Sequence, residues 1–263
     1  MKLSTEYRAE TPMEWRLRKL EEHRGDVCTA GLDLGSVSDL TALVLLFEQD
    51  FRVWDDGAGA WGVAGGYDLI PFFWVPGDGQ GDRDEVNWEF YKEWFGEEGD
   101  AWPWMIRTGG RAMDYARLRL DVSGTGPDGE VTGEGLSDRF DIQTMGVDRW
   151  EAEQLMQQFQ EYDGIEEIYK VGQGYASMKS PCKRWEELVL DGLIDHGGNP
   201  VMRWMVENCI VTRDAAGNMK PDKEASGEKI DGVVAGLMAL ARRMVLDADE
   251  GGSVYDTRGI ELI

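Results

Sequence analysis

Val27-Cys28-Thr29-Ala30-Gly31-Leu32-Asp33-Leu34 sets the architecture of this chain. Nearly every residue in it is apolar or small, which predicts a buried strand, and Asp33 interrupts the pattern. A second run of the same kind, Leu40-Thr41-Ala42-Leu43-Val44-Leu45-Leu46-Phe47, follows after Gly35-Ser36-Val37-Ser38-Asp39. The short polar connection predicts a hairpin of two adjacent strands. A carboxylate inside such a strand is costly to bury unless it is paired, protonated or bound to a metal. Costs of that kind concentrate at functional sites.

Upstream, Thr11-Pro12-Met13-Glu14 has the form of a capping box with proline at the first helical position. Trp15, Leu17 and Leu20 give the helix apolar contacts, and Gly25 can end it. Downstream, a Gly-rich loop from Asp55 to Gly66 leads into a third strand, Tyr67 to Val75. A short helix carries Val86, Phe90 and Phe95, and another runs from Met113 to Leu120. The stretch Asp121 to Glu134 reads as a Gly-rich acidic loop. Phe140 to Val147 is the fourth strand, followed by a helix from Trp150 to Tyr162 and a fifth strand, Ile165 to Val171. Met178 to Leu190 reads as a helix interrupted early by Pro181, and Pro200 to Ile210 as a further apolar helix or a helix-strand unit. Gly217-Asn218 signals a hairpin turn within the polar stretch Thr212 to Gly227. The last helix runs from about Glu228 to Leu246.

Three strands followed by alternating helices and strands predict a mixed α/β fold. An antiparallel meander comes first and parallel crossover units follow, with helices flanking the sheet. The expected division is an N-terminal helix or linker over 1–25, one main domain over 26–246, and a tail over 247–263.

The chain has 263 residues, 42% hydrophobic and 30% charged, enough to bury a sizeable core. No apolar run approaches the ~20 residues that span a bilayer. The start has no basic-then-apolar leader. These features predict a soluble protein used inside a cell, with no membrane partner. Cys28, Cys182 and Cys209 are odd in number and widely spaced, which supports neither a disulfide framework nor a zinc ribbon. With only His23 and His196 available, a metal would be held by carboxylates, favouring a hard ion such as magnesium or manganese. The net charge of -24 repels nucleic acid at long range. It leaves room for a local basic surface, because 18 of the 27 cations are arginine, the better phosphate fork.

Three acids stand where strands end or helices begin. Asp33 lies in the first strand, Asp148 follows the fourth in Gly146-Val147-Asp148-Arg149-Trp150, and Asp231 opens the last helix in Lys229-Ile230-Asp231-Gly232. Ligands of open α/β sheets bind at such strand ends. Three converging carboxylates can hold two divalent ions about 4 Å apart, as phosphodiester hydrolysis requires. The plainer readings are an N-cap for Asp148 and a dipole-favoured first-turn acid for Asp231. Asp39 is a possible fourth ligand or a turn residue. Lys179, Lys183 and Arg184 form one small basic cluster, and Lys220, Lys223 and Lys229 another. Each suits DNA phosphates or solvated surface, and Lys223 or Lys229 could neutralise charge at a scissile phosphate. Trp88, Trp94, Trp102 and Trp104 read as packing residues, and His196 as structural. Gly31-Leu32-Asp33-Leu34-Gly35-Ser36 also resembles the first phosphate loop of the actin, sugar-kinase and heat-shock ATPase superfamily. That alternative needs a second Gly-rich phosphate loop, and no P-loop exists anywhere.

Taken in order, several pieces resemble the nuclease domain of tailed-bacteriophage terminase large subunits, of the HK97-like type. They are Gly31-Leu32-Asp33-Leu34 with Asp39-Leu40-Thr41-Ala42, Phe72-Phe73-Trp74-Val75-Pro76, and Asp148-Arg149-Trp150. His196-Gly197-Gly198-Asn199-Pro200 with Arg203-Trp204-Met205 and Asn208 follows, then Lys229-Ile230-Asp231-Gly232 with Ala235. The tail, Ser253-Val254-Tyr255 to Arg258-Gly259, is similar to that family's chain end. The resemblance implies an RNase H-like fold and a two-metal endodeoxyribonuclease, using magnesium or manganese, that cuts double-stranded viral DNA during packaging. It carries the metal-ligand role onto Asp33, Asp148 and Asp231. It also implies a terminase ATPase motor, a small terminase subunit and a portal as partners, in the host cell cytoplasm. The motor itself is missing from this sequence.

Overall fold

The computed structural model describes residues 10–35, 39–77, 91–96, 102–126, 129–148, 153–249 and 261–262. Helix α1 (Pro12–Glu22) opens with the expected capping box, in which Thr11 and Glu14 bond reciprocally. The meander comprises β1 (Val27–Asp33), β2 (Thr41–Asp55) and β3 (Ala60–Pro76), paired antiparallel in that order. A short β4 (Ile106–Thr108) runs parallel to the end of β3. Helices α2 (Tyr115–Ser123) and α3 (Leu136–Arg139) lead to β5 (Asp141–Asp148), then α4 (Glu153–Tyr162) and β6 (Ile168–Val171). The rest is α5 (Tyr175–Asp191), β7 (Ile194–Asp195), α6 (Pro200–Asn208), the hairpin β8 (Val211–Arg213) and β9 (Met219–Pro221), α7 (Asp231–Asp249) and β10 (Glu261–Leu262).

The main sheet has the order β10-β3-β2-β1-β5-β6, with β4 and β7 joined to β3. Strands β1, β5 and β6 are mutually parallel neighbours, so the helices between them are crossovers. The sheet separates two cores. Leu32, Leu43, Leu45, Phe72, Trp74 and Val147 point to the side of α1, α2 and α4. Ala42, Val44, Leu46, Leu69 and Phe73 point to the side of α5, α6 and α7. Strand alternation produces this division, because both faces of β2 and β3 are covered.

Three sequence expectations needed correction. The Gly-rich stretch from Asp55 to Gly66 is largely strand: β2 and β3 pair continuously until Asp55 meets Ala60. Trp54 and Trp61 face each other there, ring centroids 5.6 Å apart, and hold the hairpin together despite its glycines. Pro181 does not interrupt α5, which runs unbroken from Tyr175 to Asp191. The proline forfeits one backbone hydrogen bond but is buried, so packing outweighs the loss. Third, Asp121, Val122 and Ser123 belong to α2 instead of the following loop.

Val86, Phe90, Trp88, Arg149 and Trp150 lie outside the described residues, as do 36–38 and the tail over 250–260. Phe95 forms a bridge with Met105. Trp94 stacks on Tyr91 and tilts against Trp204, Trp102 meets Phe72 edge-on, and Trp104 packs against Arg16, all packing roles.

Helix α1 is built into this body. Trp15, Arg16 and Leu20 are buried, and Arg16 donates to the Pro71 carbonyl at 2.7 Å. Buried Asp68 of β3 accepts from Lys19 at 2.8 Å and pairs with His23 at 3.0 Å.

Candidate active site at the ends of the central strands

The positions of the three acids follow from register. Gly31 of β1 lies beside Gly146 of β5, and Leu32 beside Val147. One step further puts Asp33 next to Asp148, on the sheet face that Gly31 and Gly146 share. Helix α7 crosses that face. A Cβ on Gly31 would stand 1.9 Å from the Ala235 carbonyl oxygen and 2.6 Å from the Ala239 nitrogen, so helix and strand touch backbone to backbone. Thr29 Oγ1 donates to the Ala239 carbonyl at 3.2 Å.

The contact steps by two residues along β1 and by four, in the opposite direction, along α7. Two strand residues rise about 6.6 Å and four helical residues about 6 Å, so the two elements stay in step. Thr29 meets Ala239, Gly31 meets Ala235, and the next step brings Asp33 to Asp231. Two glycines and two alanines thus fix where the acids converge.

Asp33 is fully buried and Asp231 almost so, whereas Asp148 is half-buried. Lys223, on the loop before α7, donates from Nζ to Asp33 Oδ2 at 2.6 Å and to Asp231 Oδ1 at 2.9 Å. Gln173, between β6 and α5, donates from Nε2 to Asp33 Oδ1 at 3.2 Å and to Asp148 Oδ2 at 2.8 Å. Two donors therefore stitch three carboxylates together, with Asp33 at the centre. Burial pushes the Asp33 carboxyl up; Lys223 pulls it back, Asp231 and Asp148 add to the rise, and the balance stands at about 8. Burial works against the Lys223 ammonium as well, but Asp33 and Asp231 outweigh it and keep it charged.

Among the described residues, no three His, Cys, Asp or Glu side chains stand close enough to hold one metal ion in this arrangement. The space between the carboxylates belongs to the Lys223 ammonium and the Gln173 amide. The chemistry of the donors nevertheless fits a hard divalent cation. All are carboxylate oxygens, the place already holds a positive charge, and Asp231 Oδ2 is buried without a hydrogen-bond partner.

Asp39 pairs with Lys229, while its Oδ1 also accepts from the Leu40 amide at 2.7 Å. Lys220 lies over the Tyr175 ring at 5.5 Å, at the start of α5 and two residues from Gln173. Lys179 is exposed and acts on Asp214 of the β8–β9 turn. Lys183 and Arg184 both pair with Glu187, about 12 Å further along α5 from Tyr175. Only Lys223 of the basic residues singled out touches the acids. Gln173 escaped sequence reasoning, which looked for charges; its one signal was its place just after a strand, in Val171-Gly172-Gln173-Gly174. The ATPase alternative loses its nearest candidate for a second phosphate loop, because Ala60 to Gly66 is strand.

Comparison with known proteins assigns the chain to a family. The terminase large subunit endonuclease domain family matches residues 132–246, which include Asp148 and Asp231. The large terminase subunit of Enterobacteria phage HK97 is 31% identical over 228 residues, 86% of this chain and 39% of that protein. The chain belongs to the terminase large subunit endonuclease-domain family. Protein YmfN of Escherichia coli K12 is 26% identical over 238 residues, 88% of this chain and 46% of its own. The crystal structure of the HK97 large terminase superposes with a TM-score of 0.60 at 31% identity, covering 86% of this chain and 42% of that one. The fold of this terminase-family chain is RNase H-like, a mixed sheet flanked by helices. It spans about two fifths of the length of the HK97 relative. No helix among the described residues is long and apolar enough to cross a membrane.

Proposed function

We propose that this chain is a divalent-metal-dependent endonuclease that hydrolyses phosphodiester bonds of double-stranded DNA, as the nuclease part of a viral genome-packaging terminase. The observation that carries the reading is the meeting of Asp33, Asp148 and Asp231, distant in sequence, at one end of two parallel strands. Asp33, Asp148 and Asp231 would hold the divalent ions, magnesium or manganese, with Asp33 as the central ligand and Asp148 and Asp231 on either side of it. Bound there, the ions would supply the positive charge needed at the attacking and leaving oxygens of the phosphate. The chain's own groups orient and exclude. Gln173 fixes the rotamers of Asp33 and Asp148, the helix-strand contact at Gly31 fixes the distance to Asp231, and the buried surroundings of Asp33 keep bulk water away. No side-chain nucleophile is called for.

The ATPase motor, small terminase subunit and portal are the partners this reading implies. Asp39 is at most a peripheral acid, since it is engaged with Lys229. Of the basic groups, Lys223 touches the acids, and Lys220, over the ring of Tyr175 two residues from Gln173, is a further candidate for a phosphate contact. The test is supercoiled plasmid incubated with manganese or magnesium, beside Asp33→Ala. Nicking that needs the ion and disappears in the variant is expected. An inert wild-type protein, or cleavage undiminished in Asp33→Ala, would sink the reading.

A further inference from the structure

We propose that Lys223 is the resident cation of the acid cluster, holding the metal-free carboxylates together and yielding its place when a divalent ion loads. This rests on the metal-dependent nuclease reading above. Asp33 has no solvent to stabilise its charge, and Asp231 almost none. The compensation comes from one ammonium, placed 2.6 Å from Asp33 Oδ2 and 2.9 Å from Asp231 Oδ1. Those are two of the oxygens a divalent ion would need.

The partners differ in what they can do. Asp33 is locked in β1 with a side-chain exposure of 0%, whereas Lys223 keeps 39% of its side chain in solvent. A flexible four-carbon stem lets the ammonium swing outward without unfolding anything. Its backbone can stay still meanwhile, because the loop is fixed independently. The Asp222 amide donates to the Ile210 carbonyl at 2.9 Å, and Ser226 returns a bond to Asp222. The Asp222 carboxylate accepts from the Glu224 and Ala225 amides. The ammonium also leaves one need unmet: Asp231 Oδ2 is buried and unpartnered among the described residues. A divalent ion with several ligand positions can use that oxygen, and a single ammonium aimed at Oδ1 does not.

A merely structural lysine and a resident cation predict opposite signs. If Lys223 only shapes the site, removing it lets the carboxylates splay and weakens metal binding. If it occupies the ion's place, removing it abolishes a competitor and a repelling charge, and metal binding tightens. The experiment is calorimetric titration of the full chain with manganese chloride, without DNA, for wild type, Lys223→Met, Lys223→Gln and Lys223→Arg. Thermal melts in EDTA and in saturating manganese accompany it. We expect the Met and Gln variants to bind manganese at least tenfold more tightly than wild type. Their melting temperatures should fall below wild type in EDTA and rejoin it in manganese, while Lys223→Arg stays close to wild type. The Gln variant covers the case in which Met fails to fold, and recovery of a poorly folded variant by manganese counts in favour. Wild type that binds manganese, with variants that bind it equally or less well, overturns the role of Lys223 alone. Absence of manganese binding in folded wild type and folded variants overturns the metal reading, and this inference with it.

Discussion

Gly31→Ala tests the link between packing and site most directly. The added Cβ would lie 1.9 Å from the Ala235 oxygen, and ordinary contact begins near 3.4 Å, so about 1.5 Å must be found. No side chain can rotate away, because the obstacles are the backbone of α7: the Ala235 carbonyl and the Ala239 nitrogen. Strand β1 cannot yield on its other side, since it is paired with both β2 and β5. Helix α7 must therefore lift. Overpacking a core by one methyl costs about 1–3 kcal/mol, and the rigidity here puts the cost near the upper figure. That corresponds to a melting point lower by roughly 6–12 °C at this size.

The functional effect is larger than the stability effect. Lifting α7 carries Asp231 away from Asp33, and a misplacement of ~1 Å can cost a site about 10²-fold in rate. The assay pairs urea unfolding with manganese titration and plasmid nicking. Gly109→Ala, where an added Cβ meets nothing within 4 Å, is the control and should behave as wild type. Gly146→Ala, whose Cβ would stand 2.9 Å from the Met238 oxygen, should fall between the two. A Gly31→Ala protein with unchanged midpoint, metal affinity and nicking would refute the claim that this contact sets the distance between the acids.

Three further outcomes are expected. Gln173→Ala, which frees Asp33 and Asp148 from their shared donor, should lower nicking or manganese affinity ~10–100-fold while unfolding within about 1 kcal/mol of wild type. In EDTA, Asp33 binds a proton when folded, with its carboxyl near 8, that the unfolded chain, near 3.8, has released; this contribution to stability is full below pH ~4 and is lost as pH rises through about 8. The melting temperature of wild type relative to Asp33→Asn should therefore decline from pH 5 to pH 9, and a rising difference would contradict the buried environment assigned to Asp33. Ellman's reagent at pH 8 should leave native Cys28 and Cys182 untouched, since both are buried and burial pushes the Cys182 thiol up to about 12, with Cys209 reacting slowly and all three reacting in urea.

Much of this was legible in the chain because local patterns agreed with the tertiary result. Val27 to Asp33 and the run to Phe47 are apolar on both faces, and both faces are covered. The capping box at Thr11 named its helix start correctly for the same reason: its partners are three residues apart. Where the reading failed, a distant residue overrode a local signal. The glycines between Asp55 and Gly66 read as a loop, but the Trp54–Trp61 contact and a long partner strand hold them extended. Pro181 read as a break, but burial holds the helix through it. The acids were visible as costly or well-placed charges. Gln173 and the particular role of Lys223 were not, because nothing within their own segments says which carboxylate they face. Gly31 with Ala235 and Ala239 is an intermediate case: a glycine in a strand and small residues four apart on a helix form a recognisable pair of faces, though the sequence does not say that they meet.

The charges at the site also fix an order of events for the proposed reaction. Above about pH 8, where Asp33 gives up its proton in the metal-free site, Asp33, Asp148 and Asp231 beside Lys223 bring three negative charges against one positive. A DNA phosphate approaching this cluster meets repulsion from the site itself, added to the net charge of -24 on the whole chain. On the proposed reading, two divalent ions would add four positive charges and would reverse the local sign, even with the ammonium swung aside. On that reading cations would precede DNA at this site, and an ammonium that keeps the carboxylates gathered until then would prevent the alternative, in which they repel one another and the strand ends separate. Reversing the sign locally leaves the net charge of the whole chain strongly negative, so the cation that touches the acids among the described residues, Lys223, stands where a phosphate would arrive. A nuclease of the proposed kind would bind DNA weakly on its own and act on DNA that a partner holds in place.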